Sequence, residues 1–282
     1  MNKNDYLCVS IMIVIIFSLI STYIIYNNIN IFKEGFEDIT SVTNPKKEPF
    51  PVDSIIYINL DSRKDRNEEI LNEIRRIGFP EHKIHRLSAV KRSWGALGCA
   101  LSHKAALEFI IEHGWKRTLI LEDDAGFEDK NVERWNNGIN EVSSFIESSG
   151  DDDTNSKWDV IFLGGFVRDT NGPIKTDYKT LWRTKNTSCA HAYIVRGNYV
   201  PKMYNEINMA IQMLMKTPSN FKQYFLDNAW NVLMAKDKWY ITLPTLAFQR
   251  ESYSDIENKV ANTDAPLRGN VVRAWKEGTL LQ

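Results

Sequence analysis

The fold is indicated most clearly by the stretch Thr118-Leu119-Ile120-Leu121-Glu122-Asp123-Asp124-Ala125-Gly126-Phe127, where a short apolar run leads directly into three carboxylates. A bounded apolar run of this length is typical of a buried strand in a parallel sheet. Acidic residues at its carboxyl end are then expected at the edge where open α/β sheets bind ligands. Crowded carboxylates need a counter-charge, which a hard divalent cation with oxygen ligands can supply. The stretch therefore predicts a metal site for a phosphorylated or nucleotide-linked substrate, although helix caps and solvated loops also carry such acids.

The composition limits the classes of protein to consider. The chain has 282 residues, enough for one large domain or two small ones, and its net charge of -1 gives no electrostatic footprint for nucleic acid. Its three cysteines are Cys8, Cys99 and Cys189, which are too few for a disulfide scaffold and lack the CxxC spacing of zinc sites. Cys99 and Cys189 form either one disulfide or two buried thiols.

The amino-terminal segment predicts a membrane anchor. Residues 6–26 contain no charged side chain, and a helix of that length reaches about 31 Å, enough to cross the hydrocarbon core of a bilayer. We therefore expect a cytoplasmic tail at residues 1–5 and a transmembrane signal anchor at residues 6–26. We also expect a polar, proline-containing stem at residues 27–51 and a folded domain at residues 52–282 on the lumenal or extracytoplasmic side. A buried core helix is the alternative for residues 6–26.

Apolar runs alternate with amphipathic segments along the rest of the chain. This alternation predicts an α/β domain with a mostly parallel sheet. The Asp151–Asp153 run lies in a polar stretch with no strand before it, and we interpret it as a solvated loop. The predicted strands are 54–60, 84–87, 118–121, 158–165 and 189–195, and the predicted helices are 63–77, 98–113, 132–146 and 200–215.

Several segments, taken in order, resemble glycosyltransferase family 25, which includes bacterial lipooligosaccharide galactosyltransferases and collagen hydroxylysine galactosyltransferases. The resemblance extends from about Ser54 to Asn258. The segments are Ile58-Asn59-Leu60-Asp61 with Arg63 and Arg66, Gly98-Cys99-Ala100-Leu101-Ser102-His103, Leu121-Glu122-Asp123-Asp124, Phe162-Leu163-Gly164-Gly165, Ala190-His191-Ala192-Tyr193-Ile194, and Gln249 with Ser254-Asp255-Ile256. The resemblance implies a GT-A type fold with a Rossmann-like sheet, a nucleotide-sugar donor (usually a UDP-hexose), Mn²⁺ or another divalent cation, and inversion at the anomeric carbon.

The metal ligands are expected within the acidic run. Glu122 and Asp124 match the outer positions of a DxD-like pattern, and in a strand-like segment alternate side chains point the same way. Asp123, between them, contacts the donor ribose or has a structural role. His191 and Asp255 are further candidates to complete the metal shell.

The donor is expected to contact residues near the carboxyl ends of the first strands and in the helix that precedes the acidic run. Arg250 is a candidate to pair with the diphosphate as a charge-assisted donor. The other candidates for the donor site are Asn59, Arg66, Ala89, Val90, Ser102, His103 and Lys104.

The acceptor side needs a general base, and the candidate is Asp227 in Phe225-Leu226-Asp227-Asn228-Ala229-Trp230. The structural alternative for Asp227 is a helix N-cap. Candidate aromatic walls for the acceptor are Trp182, Trp230 and Trp239.

These features together predict a metal-dependent inverting glycosyltransferase. It would move galactose or glucose from a UDP-sugar to a hydroxyl on a collagen-like protein or on a glycan such as lipooligosaccharide. The alternative is a catalytically inactive family relative that acts as a binding or adhesion module. A metal-dependent phosphohydrolase is disfavoured because the five histidines are not clustered at ligand spacing. The sequence leaves the oligomeric state open.

Overall fold

The computed structural model describes residues 48–128, 130–149, 156–169, 171–216, 222–254 and 259–261. The predicted tail, anchor and most of the stem lie outside these residues, as do the Asp151–Asp153 run and Asp255. Within the described ranges, no helix is both long and apolar enough to cross a membrane. The compact unit begins at Glu48, and Phe50, near the end of the predicted stem, is fully buried in it.

The chain alternates strands and helices in its first half and contains mostly short strands afterwards. The helices are α1 (Lys64–Ile77), α2 (Gly95–His113), α3 (Val132–Glu147), α4 (Val200–Lys216), α5 (Leu226–Ala229) and α6 (Asn231–Met234). The strands are β1 (Ser54–Asn59), β2 (Ile84–Ser88), β3 (Arg117–Glu122), β4 (Ala125–Phe127), β5 (Val160–Phe162), β6 (Phe166–Val167), β7 (Ile174–Lys175), β8 (Leu181–Arg183), β9 (Thr187–Ser188), β10 (Ala192–Arg196), β11 (Trp239–Thr242), β12 (Ala247–Gln249), β13 (Ser252–Ser254) and β14 (Lys259–Ala261).

The central sheet has the strand order β2-β1-β3-β10-β5-β11-β8-β7. β10 and β8 run opposite to the other six strands of this sheet, so the architecture is a mixed α/β sheet in which most strands point the same way. β10 is antiparallel because the described residues between β5 and β10 include no helix. A parallel strand needs a long crossover, usually a helix, whereas an antiparallel strand does not.

Strand periodicity places apolar residues on both faces of the sheet. In β1, Ile56 and Ile58 belong to the core that includes Leu107 of α2, whereas Ile55 and Tyr57 belong to the core that includes Ile74 of α1. Both cores are closed by helices. The result is a three-layer arrangement in which the sheet is buried on both sides, as an apolar strand such as Leu119–Leu121 requires.

The pairings of β10 and β12 assemble one edge of the sheet from distant parts of the chain. Ala192 at the start of β10 lies opposite Leu121 near the end of β3, so the residues before β10 lie beside the acidic run. β12 pairs with β4, placing Gln249 opposite Ala125. The carboxyl end of β3 is therefore surrounded by segments more than 60 residues away in sequence.

Candidate active site

The acid cluster, defined as Glu122, Asp123 and Asp124, lies at the carboxyl end of β3. Glu122 is the last residue of the strand, and the two aspartates form the turn that leads into β4. The strand alternation that was expected to orient Glu122 and Asp124 alike therefore ends at Glu122. Arg66 Nη1 lies 2.7 Å from Oδ1 of Asp123 and 3.4 Å from Oδ2 of Asp124, so both aspartates share one guanidinium.

Asp123 is held by the end of β1 and by α1. Its Oδ2 accepts a hydrogen bond of 2.8 Å from Nδ2 of Asn59, and its Oδ1 accepts one from Arg66. Burial nevertheless raises the pKa of Asp123, against the lowering effects of Arg66 and Asn59. The structure thus brings together three predicted site residues in one buried network.

The Asp124 carboxylate is buried, and only one of its two oxygens has a hydrogen-bond partner among the described residues. Gln249 donates to its Oδ2 at 3.2 Å, and the backbone of Arg250 donates to its carbonyl oxygen. Among the described residues, Oδ1 of Asp124 has no hydrogen-bond partner. Burial and the charge of Glu122 raise the pKa of Asp124 to about 7. Its carboxylate therefore has an unused oxygen and an excess of neighbouring negative charge.

The Glu122 carboxylate contacts two side chains of α2. Nε2 of His103 lies 3.2 Å from its Oε1, and the Cys99 thiol is directed to the same oxygen at 3.7 Å. Nδ1 of His103 lies 2.9 Å from the Tyr193 hydroxyl. Burial favours a higher pKa for Glu122, but His103 and the other nearby groups outweigh burial and lower it. His103 is itself buried and contacts Glu122 and Tyr193, whereas a donor contact was expected for it.

The loop after β2 packs closely on the start of α2. Ser102 Oγ accepts from the backbone N–H of Val90 at 2.8 Å and donates to the carbonyl of Gly98 at 2.7 Å. The backbone N–H of Ala89 is likewise used, because it donates to the carbonyl of Asn59. A Cβ added at Gly98 would lie 2.6 Å from the Val90 carbonyl oxygen, so this approach requires glycine. Ser102 therefore positions the predicted donor loop.

Asp227, in the first turn of α5, is brought to the same edge by the segment before β10. The backbone N–H of Cys189 donates to its Oδ2 at 3.4 Å. Cys189 has a φ of +78°, a left-handed conformation unusual for a residue other than glycine. Burial raises the pKa of Asp227. Burial, then Asp227 and Glu122, raise the pKa of the Cys189 thiol to about 12, which shows that Asp227 lies within electrostatic reach of the acid cluster.

His191 is fully buried beside the acid cluster, and its carbonyl accepts from the backbone N–H of Glu122. Burial lowers the pKa of its ring, against the raising effects of Glu122 and the Ala247 backbone. A Cβ at Gly164 would lie 2.7 Å from Nε2 of His191 and 2.1 Å from the Ala247 carbonyl oxygen. Gly164, which follows β5, therefore lets β12 and His191 approach closely.

Other candidates lie apart from the cluster or contact it differently. Trp182, Trp230 and Trp239 are buried in the core, and the prediction that they wall an acceptor site is wrong because their rings are covered by other side chains of that core. Lys104 pairs with Glu108 on the exposed side of α2. Arg250 lies beside the acid cluster, where its Nη2 donates to the carbonyl of Asp123 and its Nη1 pairs with Glu69.

Sequence reasoning missed the roles of Cys99, Tyr193 and Gln249 in this site. The spacing of Cys99 and His103 could have identified the first, because residues four apart share one face of a helix. Tyr193 and Gln249 reach the cluster only through the pairing of β10 with β3 and of β12 with β4. No local pattern indicates those contacts.

The donor set fits a hard divalent cation. Three carboxylates meet at one strand end, and Oδ1 of Asp124 is buried without a hydrogen-bond partner among the described residues. Calcium, magnesium and manganese prefer carboxylate and amide oxygens, which Glu122, Asp124 and Gln249 can offer.

One protein-family model matches part of the chain. Residues 85–219, just under half of the sequence, match the model described as glycosyltransferase family 25 (LPS biosynthesis protein). The match supports the assignment of the chain to glycosyltransferase family 25. It also supports a glycosyltransferase enzyme, and the matched span contains the acid cluster, His103 and His191, whereas Asn59, Arg66 and Asp227 lie outside it.

Solved structures give a more distant likeness. A mannose-1-phosphate geranyltransferase from Thermus thermophilus is 10% identical with a TM-score of 0.38, over 72% of this chain and 75% of that one. A glycosyltransferase involved in glycosylation of the major capsid of PBCV-1 is 10% identical (TM-score 0.41, 73% and 95%), and A197 from STIV is 13% identical (TM-score 0.35, 73% and 92%). Among curated proteins, none matches this chain.

Proposed function

We propose that this family 25 glycosyltransferase is a metal-dependent, inverting hexosyltransferase of the GT-A type. It transfers galactose or glucose from a UDP-sugar to a hydroxyl on a collagen-like protein or on a glycan such as lipooligosaccharide. The observation that carries the proposal is the buried Oδ1 of Asp124, which has no partner among the described residues and lies within the acid cluster, with Asp227 within electrostatic reach.

The donor side of the site neutralises and orients a diphosphate. Asp124 and Glu122, through its oxygen Oε2, would hold the cation, and a bound divalent cation supplies Lewis-acid neutralisation of the leaving diphosphate. Asn59 and Arg66 fix Asp123, so the turn that carries Asp124 is held rigidly at the end of β3. The loop at Ala89 and Val90 borders this edge, and we assign it to the nucleotide.

The acceptor side of the site provides the proton transfer. Asp227 takes the proton of the acceptor hydroxyl as the acceptor oxygen bonds to the anomeric carbon and the bond from that carbon to the diphosphate oxygen breaks. Burial raises the pKa of Asp227, which makes its carboxylate a stronger base, and the Cys189 N–H fixes the carboxylate's orientation. Attack from the side opposite the leaving group inverts the anomeric configuration.

The cellular setting is also a proposal. The uncharged residues 6–26 support a signal anchor, with a stem up to residue 51 and the catalytic domain in a lumen or outside the cytoplasm. Such a protein would meet its protein or glycan acceptor at or beyond a membrane surface.

The test is UDP release by the full chain from a panel of nucleotide-sugars, with and without Mn²⁺ and acceptor. We expect Asp227→Asn to lower acceptor-dependent turnover by about 10²–10⁴-fold with little change in UDP binding, because general-base catalysis has that magnitude. Asp237→Asn is the matched control, since Asp237 follows α6 at the far side of the same segment and pairs with Tyr199 and Lys202. Equal losses of turnover and UDP binding in Asp227→Asn would make Asp227 structural.

A further inference from the structure

Three side chains with different metal-binding chemistry converge beside the acid cluster. Cys99 and His103 lie one turn apart on α2, and Glu122 faces them from the end of β3. The Cys99 Sγ, a ring nitrogen of His103 and a carboxylate oxygen of Glu122 all lie within 4.8 Å of one another. Their separations from Oε1 of Glu122 are 3.7 Å for Sγ of Cys99 and 3.2 Å for Nε2 of His103.

These two separations match two edges of a tetrahedral zinc site, and the third edge, between Sγ of Cys99 and the His103 ring, is no longer than 4.8 Å. Zinc binds imidazole nitrogen and carboxylate oxygen at about 2.0–2.1 Å and thiolate sulfur at about 2.3 Å. At tetrahedral angles, neighbouring nitrogen and oxygen ligands are then about 3.3 Å apart, and sulfur and oxygen ligands about 3.6 Å apart. The three ligand atoms therefore need to move by only a few tenths of an ångström along these two edges to receive the ion.

We propose that Cys99, His103 and Glu122 form a binding site for Zn²⁺, separate from the oxygen ligands of Asp124. Thiolate and imidazole select zinc over manganese and magnesium, which prefer oxygen. Cys99 and Glu122 are each partly exposed, so the ion can enter and a water can occupy the fourth position.

The observed contacts show where the protons of His103 and Cys99 would be when zinc binds. Zinc takes the lone pair of Nε2 of His103, so the ring proton lies on Nδ1, where the Tyr193 oxygen at 2.9 Å accepts it. Such a contact to the far ring nitrogen is the usual support for a metal-bound histidine. The Cys99 thiol loses its proton to solvent as the zinc–sulfur bond forms, so each ion bound releases one proton from this residue.

Zinc at this site also inhibits transfer. Glu122 supplies the oxygen that zinc would bind, and it is also the proposed partner of Asp124 in holding the catalytic cation. Zinc on Oε1 of Glu122 would place a second positive charge beside Oε2 and so weaken the hold of Glu122 on the catalytic cation. This consequence rests on the proposed function, whereas zinc binding itself does not.

Cobalt binding tests the site without relying on activity. The full chain carrying Cys8→Ser is titrated anaerobically with Co²⁺, and a thiolate-to-cobalt charge-transfer absorption is expected that stoichiometric Zn²⁺ displaces. Cys99→Ser should abolish this absorption, whereas Cys189→Ser, which changes the other half-buried thiol, should retain it. Cys99→Ala serves as a second variant, and circular dichroism reports whether each variant is folded. Absence of the absorption from the parent, or its loss in Cys189→Ser alone, would overturn the site.

Zinc inhibition tests the consequence. At fixed Mn²⁺, the half-inhibitory Zn²⁺ concentration for UDP release, taken relative to each variant's own activity, should rise at least about tenfold in Cys99→Ser. Equal zinc sensitivity of the parent and Cys99→Ser would overturn the inhibitory role. If the parent releases no UDP from any donor, the proposed function fails, and the cobalt absorption still decides whether the zinc site exists.

Discussion

Buried aspartates lie at both ends of the central sheet, and their hydrogen bonding differs between the two ends. Asp124, at the carboxyl end of β3, and Asp159, before the start of β5, are each 8% exposed. Asp159 accepts from Arg196 at its Oδ1 and from the backbone N–H of Lys238 at its Oδ2. Asp124 has an oxygen without a partner among the described residues, and two neighbouring carboxylates. The two aspartates are therefore equally buried but differ in whether each carboxylate oxygen has a hydrogen-bond partner.

The rear acid pair, defined as Asp159 and Asp237, shows what a purely structural arrangement requires. Asp237 accepts from the Tyr199 hydroxyl at 2.7 Å and from Lys202, so each oxygen of the pair has a donor. These hydrogen bonds hold the end of β10 and the residues before β11 together. The acid cluster lacks such a balance, and it lies at the edge where strand carboxyl ends meet and where open α/β sheets bind ligands. The difference supports the proposal that the cluster holds a divalent cation.

The largest expected contrast comes from Asp124→Asn. We expect Mn²⁺-dependent UDP release to fall by about 10³-fold, because a Lewis-acid cation contributes several kcal/mol to stabilising the transition state. The free energy of unfolding should stay the same or rise, since the amide removes a buried charge that burial and the neighbouring Glu122 disfavour. Turnover across a range of Mn²⁺ concentrations and urea unfolding measure the two effects. Full activity at low Mn²⁺ would remove Asp124 from the metal site.

Asp159→Asn should have the opposite profile. The Arg196 guanidinium, whose side chain is 16% exposed, loses its carboxylate partner, so the free energy of unfolding should fall by about 2–3 kcal/mol. Activity per folded molecule should not change, because Asp159 lies at the opposite end of the strands from the acid cluster. Urea unfolding and turnover normalised to folded protein check this. A loss of turnover without a loss of stability would contradict the comparison.

A smaller effect is expected from pH. The pKa of Asp124 is raised to about 7 in the folded protein, so the folded state keeps a proton that the unfolded chain releases near pH 4. This residue's contribution therefore lowers the free energy of unfolding as pH rises from about 4 to about 7. The pKa of Glu122 is lowered in the folded protein, so its contribution to the free energy of unfolding rises as pH rises toward its usual pKa.

Metal binding should follow the same titration. The apparent affinity for Mn²⁺ should increase by up to about tenfold per pH unit below pH 7 and level off above it, because the cation binds the ionised carboxylate. Isothermal titration at several pH values measures this dependence. Asp124→Asn should flatten the profile, whereas Asp159→Asn should leave its shape unchanged. A flat profile in the parent would show that proton release from Asp124 is not coupled to binding.

The elements that local patterns could predict are those with their own periodicity and stop signals. In α1, Ile70, Ile74 and Ile77 recur at helical spacing and are buried, and Gly78 ends the helix with a φ of +98°. The first three strands were likewise predicted to within one or two residues of their observed ends. The two- and three-residue strands β4, β6–β9 and β12–β14 were missed, as was the four-residue β11, because so short a segment has no measurable period and is fixed by its partner.

The candidate site was predictable in its residue types more than in its contacts. The acidic run, Asn59, Arg66 and Asp227 were named from local patterns and the family resemblance, and the structure brings them to one edge of the sheet. The expectation that His103 binds the donor did not anticipate its burial between Glu122 and Tyr193, since Tyr193 lies 90 residues away. The tryptophans were misassigned because composition does not distinguish a sugar platform from a core side chain.

The sequence by itself determined the α/β class, the strand that ends in three carboxylates, and the resemblance to glycosyltransferase family 25. These follow from local hydrophobic periodicity and the order of short motifs, which the chain carries in every conformation. Only the tertiary structure decided that β10 runs antiparallel beside β3, that Gln249 and Tyr193 reach the acid cluster, and that, among the described residues, Asp124 is unsatisfied while Asp159 is not. Such contacts join residues far apart in sequence, and their protonation depends on burial and neighbouring charge, which exist only once the chain has folded.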